Sequence, residues 1–162
     1  MDIYEMPGHL IRRLNQISVA LFADRMAGAG LTLTPVQFAA LSAIRAHPGI
    51  DQATVAGLVA YDRATMGKVI DRLQGRDLVR RTTSPTDRRA KELTLTDQGQ
   101  ALFGTALPHV HALQSDILTG LDKDERRMFL ALLDKATLAG NELSRAPLET
   151  HADQPGGNNK RR

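Results

Sequence analysis

The chain has 162 residues, of which 42% are hydrophobic and 24% charged, and its net charge is +3. This length suffices for one core, and the composition is typical of a folded globular protein rather than a disordered one. The sequence contains no cysteine, which excludes disulfides, thiolate metal sites and thiol-based redox sensing. It shows no secretory signal and no apolar run long enough to cross a bilayer. We therefore expect a cytoplasmic protein without a membrane partner.

The first part of the chain predicts two helices. Apolar residues recur at three- and four-residue steps from residue 7 to about residue 26, the pattern of an amphipathic helix that two glycines then end. The capping-box pattern Thr34-Pro35-Val36-Gln37 starts a second helix, which should run to about Ala46.

The middle of the chain predicts two short helices joined by a tight turn, the arrangement of a helix-turn-helix. Asp51 is placed to cap a helix that ends near Val59, and Asp62 to cap a second helix with apolar residues at i, i+3, i+4 and i+7. The face opposite that apolar stripe is small and basic, which suits close approach to base edges and phosphates. The residues of this helix that we expect at DNA are Arg63, Ala64, Thr65, Gly67, Lys68 and Arg72.

Two short β-like segments follow at 78–82 and 92–95, joined by a turn-rich basic connection. This pattern predicts a β-hairpin with a long tip, the wing of a winged helix-turn-helix. The segment from 62 to 91 holds nine basic and four acidic residues, an excess larger than that of the whole chain. Such a basic region is typical of a surface that binds a polyanion, although charge alone is equally consistent with a solvated face.

Two further helices complete the predicted fold. Thr96 is placed to cap a long helix whose apolar residues continue to Leu121, and Pro108 should bend that helix. The acidic run from Asp122 to Glu125 opens a last helix. From about residue 145 the polar composition predicts a disordered tail.

The helices at the two ends of the chain carry long apolar stripes that one small winged domain would not cover. Burial against a second copy is the simplest solution, and an intramolecular three-helix cap is the alternative. The predicted fold is thus mainly α with a small β-hairpin wing. It comprises a winged helix-turn-helix at 31–96, flanked by N- and C-terminal dimerisation helices at 1–30 and 97–143, and a tail at 145–162.

The segment from Gly49 to Arg81 resembles the helix-turn-helix of MarR-type regulators. Asp87 to Thr96 matches the wing pattern of that family, D-x-R followed by five residues and L-T, and Asp97-Gln98-Gly99 continues it. The resemblance covers the helix order to about Leu143. It implies a homodimeric transcriptional regulator, which we expect to be a repressor, with recognition helices in successive major grooves and wings at the flanking minor grooves.

The matching wing positions imply that Arg89 enters a minor groove and that Asp87 orients it, since a guanidinium suits a narrow, electronegative groove. The wing residues that we expect at DNA are Asp87, Arg88, Arg89 and Lys91. The chain departs from the family pattern at Asp77, where a glycine is frequent, and a left-handed backbone is less accessible to aspartate. It also departs at Tyr61, which replaces a small apolar residue.

The resemblance further implies a ligand pocket between the dimerisation helices and the winged domain. The candidate ligand-binding residues are Tyr4, His9, Arg13 and Gln16. An arginine and a histidine beside apolar walls suit a small aromatic carboxylate, because a guanidinium binds a carboxylate well. The segment from Pro7 to Leu14 also resembles regulators of aromatic-acid breakdown, so we expect a hydroxylated benzoate or nicotinate to release the protein from an inverted-repeat operator. The alternative is that Arg13 and His9 pair with acids of the partner subunit.

Other chemistries find little support in the sequence. His109 and His111 lie two positions apart on a predicted helix and so point to different faces, which argues against a metal site. No nucleophile, carboxylate pair, phosphate-binding loop or dinucleotide fingerprint occurs in a supporting context, so we expect neither an enzyme nor a cofactor. A ligand-independent architectural DNA-binding protein remains the alternative function.

Overall fold

A computed structural model describes residues 2–84 and 91–149 of the chain. Short 3-10 turns lie at Ile3–Glu5 and Asn141–Leu143. The helices and strands are α1 (Pro7–Gly28), α2 (Pro35–Ala46), α3 (Gln52–Leu58), α4 (Arg63–Gly75), β1 (Val79–Thr83), β2 (Lys91–Leu95), α5 (Asp97–Ile117) and α6 (Lys123–Ala139). This confirms the predicted class, mainly α with one β-hairpin. Within the described ranges, no helix is long and apolar enough to cross a membrane.

The helices begin where side chains satisfy their first backbone amides. Thr34 accepts a hydrogen bond from the Gln37 amide, and the Gln37 side chain accepts one from the Thr34 amide. The side chains that cap α3, α4, α5 and α6 are those of Asp51, Asp62, Thr96 and Asp122. Helix α1 is the exception, because it begins at Pro7 after Met6, whose side chain makes no capping bond. The capping residues predicted from the sequence are therefore confirmed.

Helix α5 continues through Pro108 but ends at Ile117, so the prediction that it reaches Leu121 is wrong. The reason lies at Thr119, whose hydroxyl and amide both donate to the Asp116 carbonyl, at 2.7 and 3.3 Å. These two bonds replace the next turn of the helix and start the connection to α6.

The two strands form an antiparallel hairpin in which Val79 pairs with Leu95 and Thr83 with Lys91. On its other edge, β2 is bridged at Leu93 by Ile50. The Leu93 amide donates to the Ile50 carbonyl, and the Leu93 carbonyl accepts from the Gly49 amide, both at 2.9 Å. The root of the hairpin is thereby joined to the connection between α2 and α3.

Two residues other than glycine adopt a left-handed backbone. Asp77, just before β1, has φ +54°, so aspartate adopts here the left-handed conformation that is more accessible to glycine. Ala60, between α3 and α4, has φ +52°, and nothing in the sequence singled it out. An alanine in this conformation costs free energy because its Cβ approaches the following carbonyl.

One hydrophobic cluster is shared by the C-terminal half of α1, by α2, α3 and α4, by the hairpin and by α5. Three phenylalanines connect its helices: Phe22 lies 6.3 Å from Phe38, and Phe38 stacks on Phe103 at 5.0 Å between ring centroids. No residue of α6 is buried.

The chain after α6 turns back towards the helix-turn-helix. Residues 141–149, which we call the C-terminal strap, end at a hydrogen bond of 3.0 Å from the Glu149 amide to the Gly57 carbonyl in α3. The tail predicted from 145 thus begins with five residues that the structure describes, three of them exposed. The rest of it, residues 150–162, lies outside the described residues.

Candidate nucleic-acid interface

Helix α4 is held against the core by four side chains at helical spacing. Met66, Ile70 and Leu73 are fully buried, as predicted, and Val69 is buried beside them. Burial of this stripe fixes the rotation of the helix about its axis, and therefore fixes which residues face outward.

The outward side of α4 carries most of the residues predicted to contact DNA. Those that lie exposed are Arg63, Ala64, Thr65, Lys68 and Arg72. Gly67 is only half-exposed, because the Gln52 side chain of α3 lies beside it: a Cβ at this position would lie 3.1 Å from the Gln52 Nε2 atom. Glycine here leaves room for the Gln52 side chain.

The start of α4 is organised by Asp62, whose carboxylate accepts a hydrogen bond of 2.9 Å from the Thr65 amide. Hydrogen bonds from the hydroxyl and the amide of Thr65 lower the pKa of Asp62 below its usual value. Asp62 therefore remains an anion that caps the helix, and Arg63 and Lys68 supply the positive charge beside it.

Asp51 caps the start of α3 in the same way as Asp62 caps α4. Burial alone would raise the pKa of Asp51, but hydrogen bonds from the hydroxyl and amide of Thr54 and from the amide of Ala53 outweigh it and leave the pKa lowered. The two cap distances to backbone amides are 2.9 and 3.0 Å.

Arg81 joins the hairpin to both helices of the helix-turn-helix, a role that the sequence analysis missed. From β1 its guanidinium donates to the Gln52 side chain in α3 at 3.0 Å and to the Asp71 carboxylate in α4 at 2.9 Å. The sequence signal was an acid on the basic face of α4, which needs a cation nearby. One side chain thus fixes the wing relative to the DNA-facing helix.

The wing itself is described only at its base. Lys91 is exposed and its ammonium donates to the Thr83 hydroxyl across the hairpin at 2.7 Å. Three of the predicted DNA contacts, Asp87, Arg88 and Arg89, lie outside the described residues.

The candidate ligand residues lie along one side of α1 and in the turn before it. The rings of Tyr4 and His9 meet edge to face with centroids 5.7 Å apart, and the His9 Nε2 atom is buried without a hydrogen-bond partner. Gln16 accepts a hydrogen bond of 2.9 Å from Arg12 rather than from Arg13, and Arg13 is exposed. Within one chain, the structure brings Tyr4 and His9 together but leaves the other two on the surface.

A separate apolar cavity of about 310 Å³ lies between α1, α5 and α6. Its lining includes Ile11, Leu14 and Ser18, which occupy the side of α1 opposite His9 and Arg13 by helical spacing. Among the described residues, no group of three or more histidines and carboxylates is placed to hold a metal ion.

Residues 33–91, from the start of α2 to the start of β2, match the model of the MarR family. The transcriptional repressor NicR of Pseudomonas putida is 34% identical over 134 residues, which cover 83% of this chain and 84% of NicR. The chain belongs to the MarR family. Relatives over this length are transcriptional regulators rather than enzymes, in agreement with the sequence analysis.

Two solved structures of this family align over most of the chain. BpsR of Bordetella bronchiseptica, whose DNA binding is regulated by 6-hydroxynicotinic acid, superimposes with a TM-score of 0.78 and is 34% identical. That alignment covers 85% of this chain and 96% of BpsR. The repressor CouR, solved on a 23-mer DNA duplex, has a TM-score of 0.74 and 34% identity over 86% of this chain and 98% of CouR.

Proposed function

We propose that this MarR-family regulator is a homodimeric repressor that binds an inverted-repeat operator and is released from it by a small aromatic carboxylate. The observation that carries the DNA-binding part is the outward side of α4, where a small, basic face is held in one orientation by a fully buried stripe. Membership of a family with a DNA-bound neighbour supports the same conclusion.

The dimer rests on apolar surface that one chain leaves uncovered. Large apolar side chains are exposed along the N-terminal part of α1 and along α6. They are Leu10, Ile11, Ile17, Val19, Met128, Leu130, Leu132, Leu133 and Leu138. So many exposed large apolar side chains are typical of an interface, so residues 1–30 and 97–143 form the dimerisation region and residues 31–96 the DNA-binding domain.

At DNA, α4 enters the major groove of each half-site and the wing reaches the adjacent minor groove. Lys68 and Arg72 contact bases or phosphates from α4, and Arg89, oriented by Asp87, contacts the minor groove. Arg63, Arg88 and Lys91 add phosphate contacts. A basic side chain in a well-formed contact contributes about 1–3 kcal/mol to operator binding.

The ligand binds beside Tyr4, His9, Arg13 and Gln16, with apolar walls completed by the partner subunit. Two observations support this site. His9 presents a buried nitrogen that lacks a partner, and BpsR responds to 6-hydroxynicotinic acid. An exposed guanidinium at Arg13 is available for the carboxylate, and hydroxylated benzoates and nicotinates fit this chemistry.

In the first step of the test, the wild-type protein selects DNA duplexes from a random library, and the selected duplexes are footprinted. A protected inverted repeat with half-sites about one helical turn apart supports the repressor, whereas uniform coverage indicates an architectural protein. Aromatic acids are then titrated against the complexes of wild type and Arg13→Ala, with cyclohexanecarboxylate as the control for ionic strength. Equal release of DNA from both proteins would show that Arg13 takes no part in the ligand site.

A further inference from the structure

The C-terminal strap is folded by hydrogen bonds between its own residues and is attached to α3 at its end. At its start, the Asn141 side chain accepts a hydrogen bond from the Leu148 amide at 2.8 Å and donates one to the Leu148 carbonyl at 3.2 Å. At its end, the Glu149 amide donates to the Gly57 carbonyl at 3.0 Å. The strap therefore connects the end of α6 to the α3–α4 corner of the helix-turn-helix.

The Glu149 side chain lies directly over Gly57. A Cβ built at Gly57 would lie 2.6 Å from the Glu149 Oε2 atom and 2.9 Å from its Cβ, distances that real side chains do not tolerate. Only glycine in α3 lets the glutamate side chain lie across the helix in this way, so the position of this carboxylate depends on the residue beneath it.

The Glu149 carboxylate lies at the start of the recognition helix. Its Oε1 atom is 4.0 Å from the Nη2 atom of Arg63, the first residue of α4, and both side chains are largely exposed. An exposed pair at this distance contributes little to stability. It does place a negative charge where the helix N-terminus and Arg63 would otherwise attract a DNA phosphate.

The apolar side chains of the strap pack little against the rest of the chain. Leu143 is 90% exposed and Leu148 42% exposed, and a cavity of about 500 Å³ separates the strap from Ala60 and the last turns of α6. Because little apolar surface is buried, the strap is held mainly by a few polar contacts, and displacing Glu149 requires breaking only those at its end.

We propose that Glu149 weakens DNA binding by acting through Arg63. The strap holds the Glu149 carboxylate against the Arg63 guanidinium, where the carboxylate competes with a DNA phosphate. This inference rests on the proposed role of α4 as the recognition helix. When DNA binds, Arg63 exchanges the carboxylate for a phosphate, and loss of the ion pair offsets part of the gain from the phosphate contact, so the strap lowers the affinity for DNA. The freed carboxylate also attracts cations weakly, which offsets a small part of the cation release from DNA.

The test compares Glu149→Gln with Glu142→Gln, which removes the same charge from the same segment. Among the described residues, the Glu142 carboxylate contacts only Asn141. Using the duplex selected by the wild type, Glu149→Gln should bind about two- to fivefold more tightly at low salt. The plot of log K against log salt concentration should steepen by less than about one for each protomer, because the carboxylate freed in the wild type attracts cations only weakly. Glu142→Gln should match the wild type in both measurements.

Two further variants show whether the effect passes through Arg63 and the strap. In an Arg63→Ala background, Glu149→Gln should change neither affinity nor slope, since the competing partner is gone. Gly57→Ala should displace the strap and reproduce the gain, whereas Gly28→Ala, where a Cβ meets nothing within 4 Å, should not.

The outcomes separate this inference from the proposed function. If the wild type protects an inverted repeat but Glu149→Gln binds with unchanged or weaker affinity, the competition by Glu149 is wrong and the proposed repressor stands. The same conclusion follows if the gain persists without Arg63. A wild-type protein that binds no DNA would overturn both.

Discussion

Helix α4 buries four apolar side chains within one chain, whereas α6 buries none although it carries five large apolar residues on its surface. Both helices are amphipathic and both begin with an aspartate cap. The difference therefore lies in what covers the apolar stripe. The core of the winged region is complete in a single chain, and α6 requires a second one, which we propose is another copy.

The largest loss of stability is expected at the junction between the winged region and α5, within the core that a single chain completes. A Cβ at Gly99 would lie 2.0 Å from the Leu78 carbonyl oxygen, and neither backbone can retreat without disrupting the hairpin. Gly99→Ala should lower the free energy of unfolding by about 3–5 kcal/mol, measured by urea denaturation. The control, Gly104→Ala in the same helix, meets nothing within 4 Å and should raise it by about 0.5–1 kcal/mol.

On α6, a charged substitution should separate assembly from folding. Leu132 is 59% exposed in one chain, so Leu132→Asp should leave the winged region folded. At a symmetric interface it buries an unpaired charge twice, and dimer association should weaken by about a hundredfold or more. Sedimentation equilibrium measures this. Ala131→Asp, at an exposed neighbouring position about 100° round the helix from Leu132, is the control, and equal sedimentation of the two variants would place the interface elsewhere.

The Asp51 cap at the start of α3 should make the stability of the winged region depend on pH. The folded pKa of Asp51 is lowered from 3.8, so its contribution to stability is present above pH 3.8 and is lost as the pH falls through the lower folded value. Asp51→Ala should cost about 0.5–2 kcal/mol at neutral pH. Denaturation at several pH values should show this cost shrinking in acid, and a cost independent of pH would contradict the hydrogen-bonded carboxylate.

The smallest expected effect is at the turn between α3 and α4. Ala60→Gly should raise the free energy of unfolding by up to about 1 kcal/mol, because glycine removes the strain of φ +52°. Asp77→Gly should gain less, since aspartate tolerates this conformation better. Thermal denaturation of the two variants in parallel checks which gains more stability. A loss of stability in Ala60→Gly would show that packing of the alanine methyl group contributes more free energy than the backbone strain costs.

The sequence predicted what depends on neighbours in the chain and missed what depends on distant ones. The caps at Asp51 and Asp62 use amides two or three residues away, so their spacing in the sequence identifies them. The ion pair of Arg81 with Asp71 joins residues 10 positions apart. The hydrogen bond from Glu149 to Gly57 joins residues 92 positions apart. Such contacts follow only from the packing of the helices. For the ligand residues, the missing part is the proposed second subunit.

The pairing of β2 on both edges at Leu93, by β1 on one side and by Ile50 on the other, has a consequence for local stability. The amide of Leu93 donates to Ile50 and its side chain is fully buried, so its hydrogen exchange should need the opening of the whole winged core. The amide of Lys91, at the exposed end of the hairpin, should exchange through local fraying. The root of the hairpin should therefore open only when the domain unfolds, whereas its end at Lys91 should open locally.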